Sequence, residues 1–98
     1  MEINFKDGIY ERLETDPSFD AGFAASIVRM YRKRIQMIRA ASDERTFYAM
    51  KSLHSEQVKG KREGQYSMRL NEQWRLILEF VKTDQNKTVV VVRIEDYH

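Results

Sequence analysis

The chain of 98 residues carries 17 lysines and arginines against 15 aspartates and glutamates, and 42% of its residues are apolar. This length and composition predict one soluble globular domain over residues 1–98, and the absence of cysteine excludes disulfides and thiolate metal sites. No apolar run approaches the roughly 20 residues of a membrane span, and the first residues lack the pattern of a signal peptide, so we expect a cytoplasmic protein without a membrane partner.

The N-terminal half is predicted to contain one strand and several helical segments. Residues 3–6 have the pattern of a short edge strand, and residues 8–14 have that of a short helix. Over residues 23–41, apolar side chains recur at helical spacing and basic residues occupy the opposite face, which predicts the long amphipathic helix of the domain. Ser42 and Asp43 are suited to cap a further helical turn that runs through Met50.

The second half of the chain changes to the two-residue period of β-strands. Apolar side chains alternate along residues 65–70 and again along residues 74–80. A three-residue loop between the two runs puts both apolar sets on one face, whereas a two-residue loop would turn one set the wrong way. We therefore predict a hairpin in which Leu70 pairs with Trp74. Arg69 then pairs with Arg75 on the face away from the core.

The last predicted strand, residues 88–94, is apolar on both sides and follows a turn at residues 84–86. A strand of this kind is expected inside the sheet or covered on both faces. The predicted architecture is therefore an α+β fold, a compact domain in which the N-terminal strand and the helices pack on one face of an antiparallel β-sheet.

Positive charge is clustered along the chain. Residues 21–41 contain five basic residues and no acid, and residues 51–75 contain six bases against three acids. Such clusters suit a polyphosphate partner, although a solvated helix face with a basic loop has the same composition. Arg69 and Arg75 would repel each other as cross-strand neighbours, so an anion fits between them unless Glu79 or the acidic C-terminus neutralises them.

Three segments supply side chains suited to cleaving RNA by its own 2′-hydroxyl, a reaction that needs a base, an acid and cations around the phosphate. His98 suits the base or the acid, Asp96 is a second proton acceptor or orients the imidazole, and Tyr97 can stack on a nucleobase or donate a hydrogen bond. In the predicted sheet these groups converge with cations around one open face. The alternative is a C-terminal histidine without a chemical role. The cations are Lys59, Lys61 and Arg62 of a basic loop, and Arg69 and Arg75 of the hairpin.

A metal or another cofactor is not expected. The only histidines are His54 and His98, and no helical His-x-x-x-His pair is present. A phosphate-cradling glycine loop is also absent from the sequence, which argues against hydrolysis of a nucleoside triphosphate. The chemistry is therefore predicted to depend on side chains alone.

Three motifs of the sequence occur together: Lys59-Gly60, Asn-x-x-Trp-Arg over residues 71–75 and the ending Glu95-Asp96-Tyr97-His98. In these motifs the sequence resembles the HigB toxins of the RelE/ParE superfamily, and the resemblance covers essentially the whole chain. It implies a compact RelE-like domain that enters the decoding site of the ribosome and cuts mRNA without a metal. It also implies neutralisation by a HigA-type helix-turn-helix antitoxin, in a complex that binds operator DNA.

The resemblance also implies roles for individual residues. The family often has a histidine three residues before the lysine of Lys59-Gly60, and here that position is Glu56. His54 takes this role only if the loop is longer, so more of the acid–base work would fall on Asp96 and His98. Family active-site positions are occupied by Lys59, Arg75, Asp96, Tyr97 and His98, and RNA contacts are predicted for Lys61, Arg62, Arg69 and His54.

Two other functions fit the same fold. A ParE-type toxin inhibits DNA gyrase by protein–protein contact, and the Asp-Tyr-His ending argues against it because that activity does not need those groups. A module that binds RNA or an antitoxin without catalysis is the second alternative, for which Glu56 is the one indication. Fold alone does not separate these possibilities, since function depends on the site.

Overall fold

The computed structural model describes residues 1–42, 45, 56–57, 65–82 and 87–96, with residues 56–57 described by their backbone alone. Within these residues the strands form one five-stranded sheet in the order β1-β5-β4-β3-β2. β1 lies parallel to β5, and the other neighbouring strands are antiparallel. The elements in chain order are β1 (Glu2–Phe5), α1 (Gly8–Thr15), α2 (Ala25–Ala40), β2 (Glu56–Gln57), β3 (Gln65–Arg69), β4 (Trp74–Lys82) and β5 (Lys87–Asp96).

The predicted α+β class is confirmed, with α1 and α2 packed against one face of the sheet. The sheet is mixed rather than wholly antiparallel, because β1 and β5 run in the same direction as neighbours. β1 is an edge strand and β5 an internal one, as predicted. The predicted turn at residues 84–86 lies outside the described residues, as does the helical turn through Met50 except for Arg45, which is helical.

The core lies between the helices and the sheet, and it contains the side chains that the two hydrophobic periods predict. Each fully buried aliphatic side chain contributes about 1.5–3 kcal/mol relative to an exposed one, so this layer fixes the helices on the sheet. From α2 it includes Ile27, Val28, Tyr31, Ile35 and Ile38. From the sheet and the adjoining start of the hairpin loop it includes Met68, Leu70, Leu76, Leu78, Val89, Val91 and Ile94.

The connection between α1 and α2 is held by Arg32. Its Nε donates to the carbonyl of Leu13 at 3.0 Å, and its Nη2 donates to the carbonyls of Asp16 at 3.1 Å and Phe19 at 3.2 Å. These carbonyls belong to the end of α1 and the following loop, where the helix leaves its last acceptors without intrahelical partners. Gly22 then takes a left-handed φ of 84°, which glycine adopts without steric cost, just before α2 begins.

The predicted hairpin of β3 and β4 is confirmed in its register. Arg69 lies opposite Arg75, and the Leu70 N–H donates to the Trp74 carbonyl at 2.9 Å across a three-residue loop. Asn71 fixes the loop, because its Oδ1 accepts hydrogen bonds from the backbone N–H groups of Gln73 at 2.8 Å and Trp74 at 2.7 Å. This side-chain mimic of a backbone turn sets the direction in which β4 starts.

A β-bulge in β5 reverses its side-chain alternation. Opposite β4, Leu78 pairs with Val91 but Ile77 pairs with Arg93, so Val92 is the extra residue. Strict alternation from Val91 would turn the side chain of Arg93 toward the core. With the bulge, the next residue, Ile94, enters the core instead, and Arg93 faces away from the helices. Bulges re-aim side chains in this way near functional sites.

Candidate functional site

The face of the sheet away from α1 and α2, here called the outer face, carries a row of three charged residues. Arg69 on β3 lies opposite Arg75 on β4, and Arg75 lies opposite Glu95 on β5. All three side chains are half-buried. Directly opposed residues have Cβ atoms about 5 Å apart, so the two arginines repel each other while Glu95 attracts Arg75. The predicted cross-strand arginine pair is therefore present, with a carboxylate beside it.

Glu95 also binds a third arginine. Both Nε and Nη2 of Arg93 donate to Glu95 Oε1, at 3.2 and 3.1 Å. The two residues are neighbours on the outer face of β5 because of the bulge at Val92. Sequence reasoning did not single out Arg93 or Glu95 as site residues. The available signal was a pair of charges at two-residue spacing at the end of a strand that is otherwise apolar.

Glu79 does not neutralise the arginine pair. It lies opposite Gln65, further along β4, and its Oε1 accepts hydrogen bonds from Lys6 Nζ at 3.0 Å and Gln65 Nε2 at 3.3 Å. The hydrogen bond from Lys6 is the main reason that the pKa of Glu79 is held below its ordinary value. Of the two predicted sources of neutralising charge, the acidic C-terminal strand is the one next to Arg75.

Arg69 also contacts Glu72 and Arg34. Its Nη2 lies 3.9 Å from Oε1 of Glu72, whose side chain is 95% exposed, so this ion pair is weak and screened by solvent. Its backbone carbonyl accepts a hydrogen bond from Arg34 Nε of α2 at 3.3 Å. Burial lowers the pKa of Arg34, which is part-buried between the helix layer and the hairpin. The position of Arg69 is thus tied to α2 through its main chain.

The part of the outer face next to the charged row, around Ser67 and Ile77, is shielded from solvent. Ser67 and Ile77 lie opposite each other there with exposed fractions of 3% and 1%. The arginine pair therefore lies at the margin between a water-excluded part of the face and solvent. Electrostatic interactions are stronger at such a position than on a fully solvated surface.

Asp96 lies at the same end of the sheet but on the other face. It pairs with Trp74, whose ring packs edge-on against Phe23 at a centroid distance of 5.9 Å, on the side of the helices. The prediction that Asp96 shares one face with Arg69 and Arg75 is wrong, because the bulge at Val92 exchanges the faces of all later residues of β5.

The Asp96 carboxylate nevertheless has a defined neighbour. Its Oδ2 accepts a hydrogen bond from Gln73 Nε2 at 3.1 Å, so the hairpin loop and the end of β5 are in contact. Asp96 is exposed and is adjacent along the strand to Glu95, the partner of Arg75. A ligand that bends around the end of β5 can therefore touch both faces.

Much of the basic charge on α2 is bound by the protein itself. Arg39 makes a two-point ion pair with Glu14, with both N–O distances at 2.7 Å, and Arg32 and Arg34 donate to main-chain carbonyls. Arg29 and Lys33 are exposed. The Glu14 carboxylate offsets the charge of Arg39, and the carbonyls occupy donors of Arg32 and Arg34, so these contacts favour a structural role for most of the bases of α2.

Six of the predicted site residues lie outside the described residues and remain predictions. No group of three or more His, Cys, Asp or Glu that could hold a metal ion occurs among the residues that the structure describes. No helix in the described segments is long and apolar enough to traverse a lipid bilayer. The six residues are His54, Lys59, Lys61, Arg62, Tyr97 and His98.

The fold defined by this sheet order and helix layer is that of the RelE-like toxins. The structure is similar to the YoeB/ParE toxin from Agrobacterium tumefaciens, with a TM-score of 0.66, 21% identity and coverage of 100% of both chains. It is also similar to YafQ from E. coli, with a TM-score of 0.59, 12% identity and coverage of 97% and 91%. The toxin in the YoeB–YefM complex from Staphylococcus aureus aligns with a TM-score of 0.54 and 17% identity over 100% and 97%.

The sequence profile described as "RelE-like toxin of type II toxin-antitoxin system HigB" matches residues 3–98. The chain therefore belongs to the HigB-like family of type II toxin–antitoxin toxins, and the resemblance noted in the sequence is confirmed. No curated protein sequence matches it.

Proposed function

We propose that this toxin is a ribosome-dependent endoribonuclease that cuts mRNA by attack of a 2′-hydroxyl on the adjacent phosphate, without a metal. The observation that carries the proposal is the cross-strand pair of Arg69 and Arg75, half-buried at the end of the sheet where the acidic C-terminal strand finishes. Two guanidinium groups held together present planar donors for one phosphate, and phosphate binding relieves their repulsion.

In the proposed reaction, a base takes the proton of the 2′-hydroxyl and the 2′-oxygen forms a bond to phosphorus. The bond from phosphorus to the 5′-oxygen then breaks, and an acid protonates the departing oxygen, leaving a 2′,3′-cyclic phosphate and a 5′-hydroxyl. Asp96 and His98 are the candidate base and acid, and Tyr97 is a candidate for stacking or hydrogen bonding. Arg75 and Lys59 stabilise the charge on the phosphorane.

The position of Asp96 adds a constraint on the path of the RNA. Arg75 faces outward while Asp96 is on the face of Trp74, at the same end of the sheet. We therefore propose that the RNA bends around the end of β5, with its phosphate toward Arg69 and Arg75. Lys61, Arg62 and His54 would extend the contact to neighbouring nucleotides. A splayed, unstacked strand of this kind is the usual target of specific RNA recognition.

The proposed partners follow from membership in a toxin–antitoxin family. The solved YoeB–YefM complex supports an antitoxin partner for a toxin of this fold. We propose a HigA-type antitoxin with a helix-turn-helix domain, whose complex with the toxin binds operator DNA. The other proposed partners are mRNA and the decoding site of the ribosome, reached in the cytoplasm.

Inhibition of DNA gyrase, as in ParE toxins, is the second candidate. One solved structure of similar fold is named a YoeB/ParE toxin, so the architecture is compatible with either activity. The half-buried arginine pair favours the nuclease, because a protein–protein inhibitor has no need for two like charges in direct opposition.

The test uses purified toxin, translating ribosomes and a defined message, with 5′ ends mapped by primer extension. Cuts within translated codons are expected, with none in the same message free of ribosomes. Arg75→Ala should remove the cuts, whereas Arg29→Ala, at an exposed position on α2, should not. Intact messages together with gyrase-linked DNA breaks in a parallel assay would overturn the nuclease proposal.

A further inference from the structure

Glu95 is the carboxylate in the charged row of the outer face. It lies opposite Arg75 across β4 and β5, and Arg75 in turn lies opposite Arg69. Glu95 also accepts two hydrogen bonds from Arg93 on its own strand, at 3.1 and 3.2 Å. Glu95, a half-buried acid, is thus beside both Arg75 and Arg93, and Arg75 is in turn beside Arg69.

The bulge at Val92 is what brings Glu95 to this face. Without it, strict alternation from Val89 and Val91 would turn Glu95 toward the helix layer. The extra residue places Arg93 and Glu95 on the outer face, beside the arginine pair. The position of this charged pair on the outer face thus depends on the bulge and not on the ordinary alternation of the strand.

We propose that Glu95 is a positioning residue of the nuclease site, an inference that rests on the proposed function. Its carboxylate holds the guanidinium groups of Arg75 and Arg93 on the β5 side of the row. It thereby keeps Arg75 in the orientation that stabilises the phosphorane and offsets part of the positive charge of the site. The site then binds RNA less tightly than it would without the Glu95 charge, and cuts it faster.

If Glu95 has this role, loss of its charge slows cleavage but strengthens RNA binding. Loss of the Glu95 charge removes one of the contacts that orient Arg75 and Arg93, so the phosphate binds more often in unproductive orientations. A misplacement of about 1 Å in a catalytic group costs on the order of 100-fold in rate. At the same time, one more uncompensated cation steepens the dependence of log affinity on log salt by about 0.7 for single-stranded RNA.

The experiment compares the wild type with Glu95→Gln, which keeps the shape and removes the charge. We expect cleavage on programmed ribosomes under single turnover to fall by about 10- to 100-fold. Binding of a short single-stranded RNA with a 2′-deoxy residue at the cut position should become tighter, with the steeper salt dependence. Glu95→Asp, which restores the charge, should recover part of the cleavage rate.

The matched control is Glu79→Gln, which removes a carboxylate from the same face. Glu79 is bound mainly by Lys6 and Gln65, lies opposite Gln65 and Val90 rather than beside Arg75, and feels the charge of Arg93 only as a minor contribution, so cleavage and binding should stay within about twofold of the wild type. The Tm of each variant reports on folding. A purely structural role of Glu95 would lower Tm, cleavage and binding together.

The outcomes separate this inference from the proposed function. If the wild type cuts and Glu95→Gln cuts equally well, the inference fails and the nuclease stands. If Glu95→Gln weakens both cleavage and RNA binding, the positioning role is also wrong. If the wild-type toxin leaves translated messages intact, the proposed function fails and the role of Glu95 fails with it.

Discussion

The phenolic oxygen of Tyr10 accepts a hydrogen bond of 3.1 Å from the backbone N–H of Ile94, across 84 positions of sequence. β1 covers β5 only as far as Val91, which pairs with Phe5 and accepts from the N–H of Lys6. Beyond Val91, Tyr10 of α1 supplies the hydrogen-bond acceptor that a neighbouring strand would otherwise offer to the backbone N–H of Ile94. The segment that leads into Glu95 and Asp96 is thus fastened to the helix layer.

Tyr10→Phe should lower the free energy of unfolding by about 1–3 kcal/mol, because it leaves the buried Ile94 N–H without its acceptor. Urea denaturation at neutral pH measures this. Ile9→Ala, at an exposed neighbouring position, is the control and should change stability by about 0.5 kcal/mol or less. Equal stability of Tyr10→Phe and wild type would mean that this hydrogen bond does not fasten β5.

Tyr31 should make the protein less stable at high pH. Its side chain is fully buried and donates to the Tyr10 carbonyl at 2.8 Å. Burial is the main cause that raises its pKa, and the charge of Glu14 raises it further. The unfolded chain loses this proton near pH 10, whereas the folded state keeps it. The contribution of Tyr31 to stability is therefore fully present below pH 10, and above pH 10 the free energy of unfolding falls by up to about 1.4 kcal/mol per pH unit.

Urea denaturation of wild type and Tyr31→Phe between pH 8 and pH 11 tests this sign. Tyr31→Phe should start less stable, because it lacks the hydroxyl that binds the Tyr10 carbonyl. Its stability should then fall less steeply above pH 10 than that of the wild type. Parallel curves for the two proteins would exclude Tyr31 as a source of alkaline instability.

Arg32→Ala should destabilise the fold by at least about 2 kcal/mol, because three carbonyls at the end of α1 and in the following loop lose a charged donor. Thermal and chemical unfolding measure the effect. Arg29→Ala is the matched control, an exposed arginine on the same helix, with an expected change of about 0.5 kcal/mol or less. A similar small change in both variants would show that the hydrogen bonds of Arg32 contribute little to stability.

Asp96→Ala, His98→Ala and Arg75→Ala should each abolish growth arrest when the toxin is expressed without its antitoxin. Cleavage of translated mRNA should fall by about 100-fold or more, because each change removes a proposed proton-transfer group or the stabilisation of transition-state charge. Tm and antitoxin binding should stay near wild-type values. Full toxicity of Asp96→Ala and His98→Ala would remove the C-terminal residues from the catalytic assignment.

The sequence predicted correctly those elements in which the spacing of apolar side chains distinguishes a buried face from an exposed one. For the hairpin, alternation in both strands and the three-residue loop together specify that Arg69 opposes Arg75, and the structure has that register. The long helix was likewise predicted from its 3.6-residue period, and its buried face is the predicted one. In both cases one face must be apolar, so a shift of register would cost a large part of the core.

The same reasoning failed where a strand has apolar residues on both faces. In the run from Val89 to Val92, no alternation distinguishes the inner side, so the sequence by itself could not reveal an extra residue. The extra residue follows from the tertiary structure. In the core, Leu76 pairs with Ile94 and Leu78 pairs with Val91, and only a bulge at Val92 allows both pairings.

The sequence by itself thus determined the α+β class, the family and the opposition of the two arginines, since these depend on local periods and on motifs. The packing of β5 between β4 and β1 determined which acidic residue lies beside the two arginines. Glu95 rather than Asp96 lies beside Arg75, because the core selects the face of every residue after Val92.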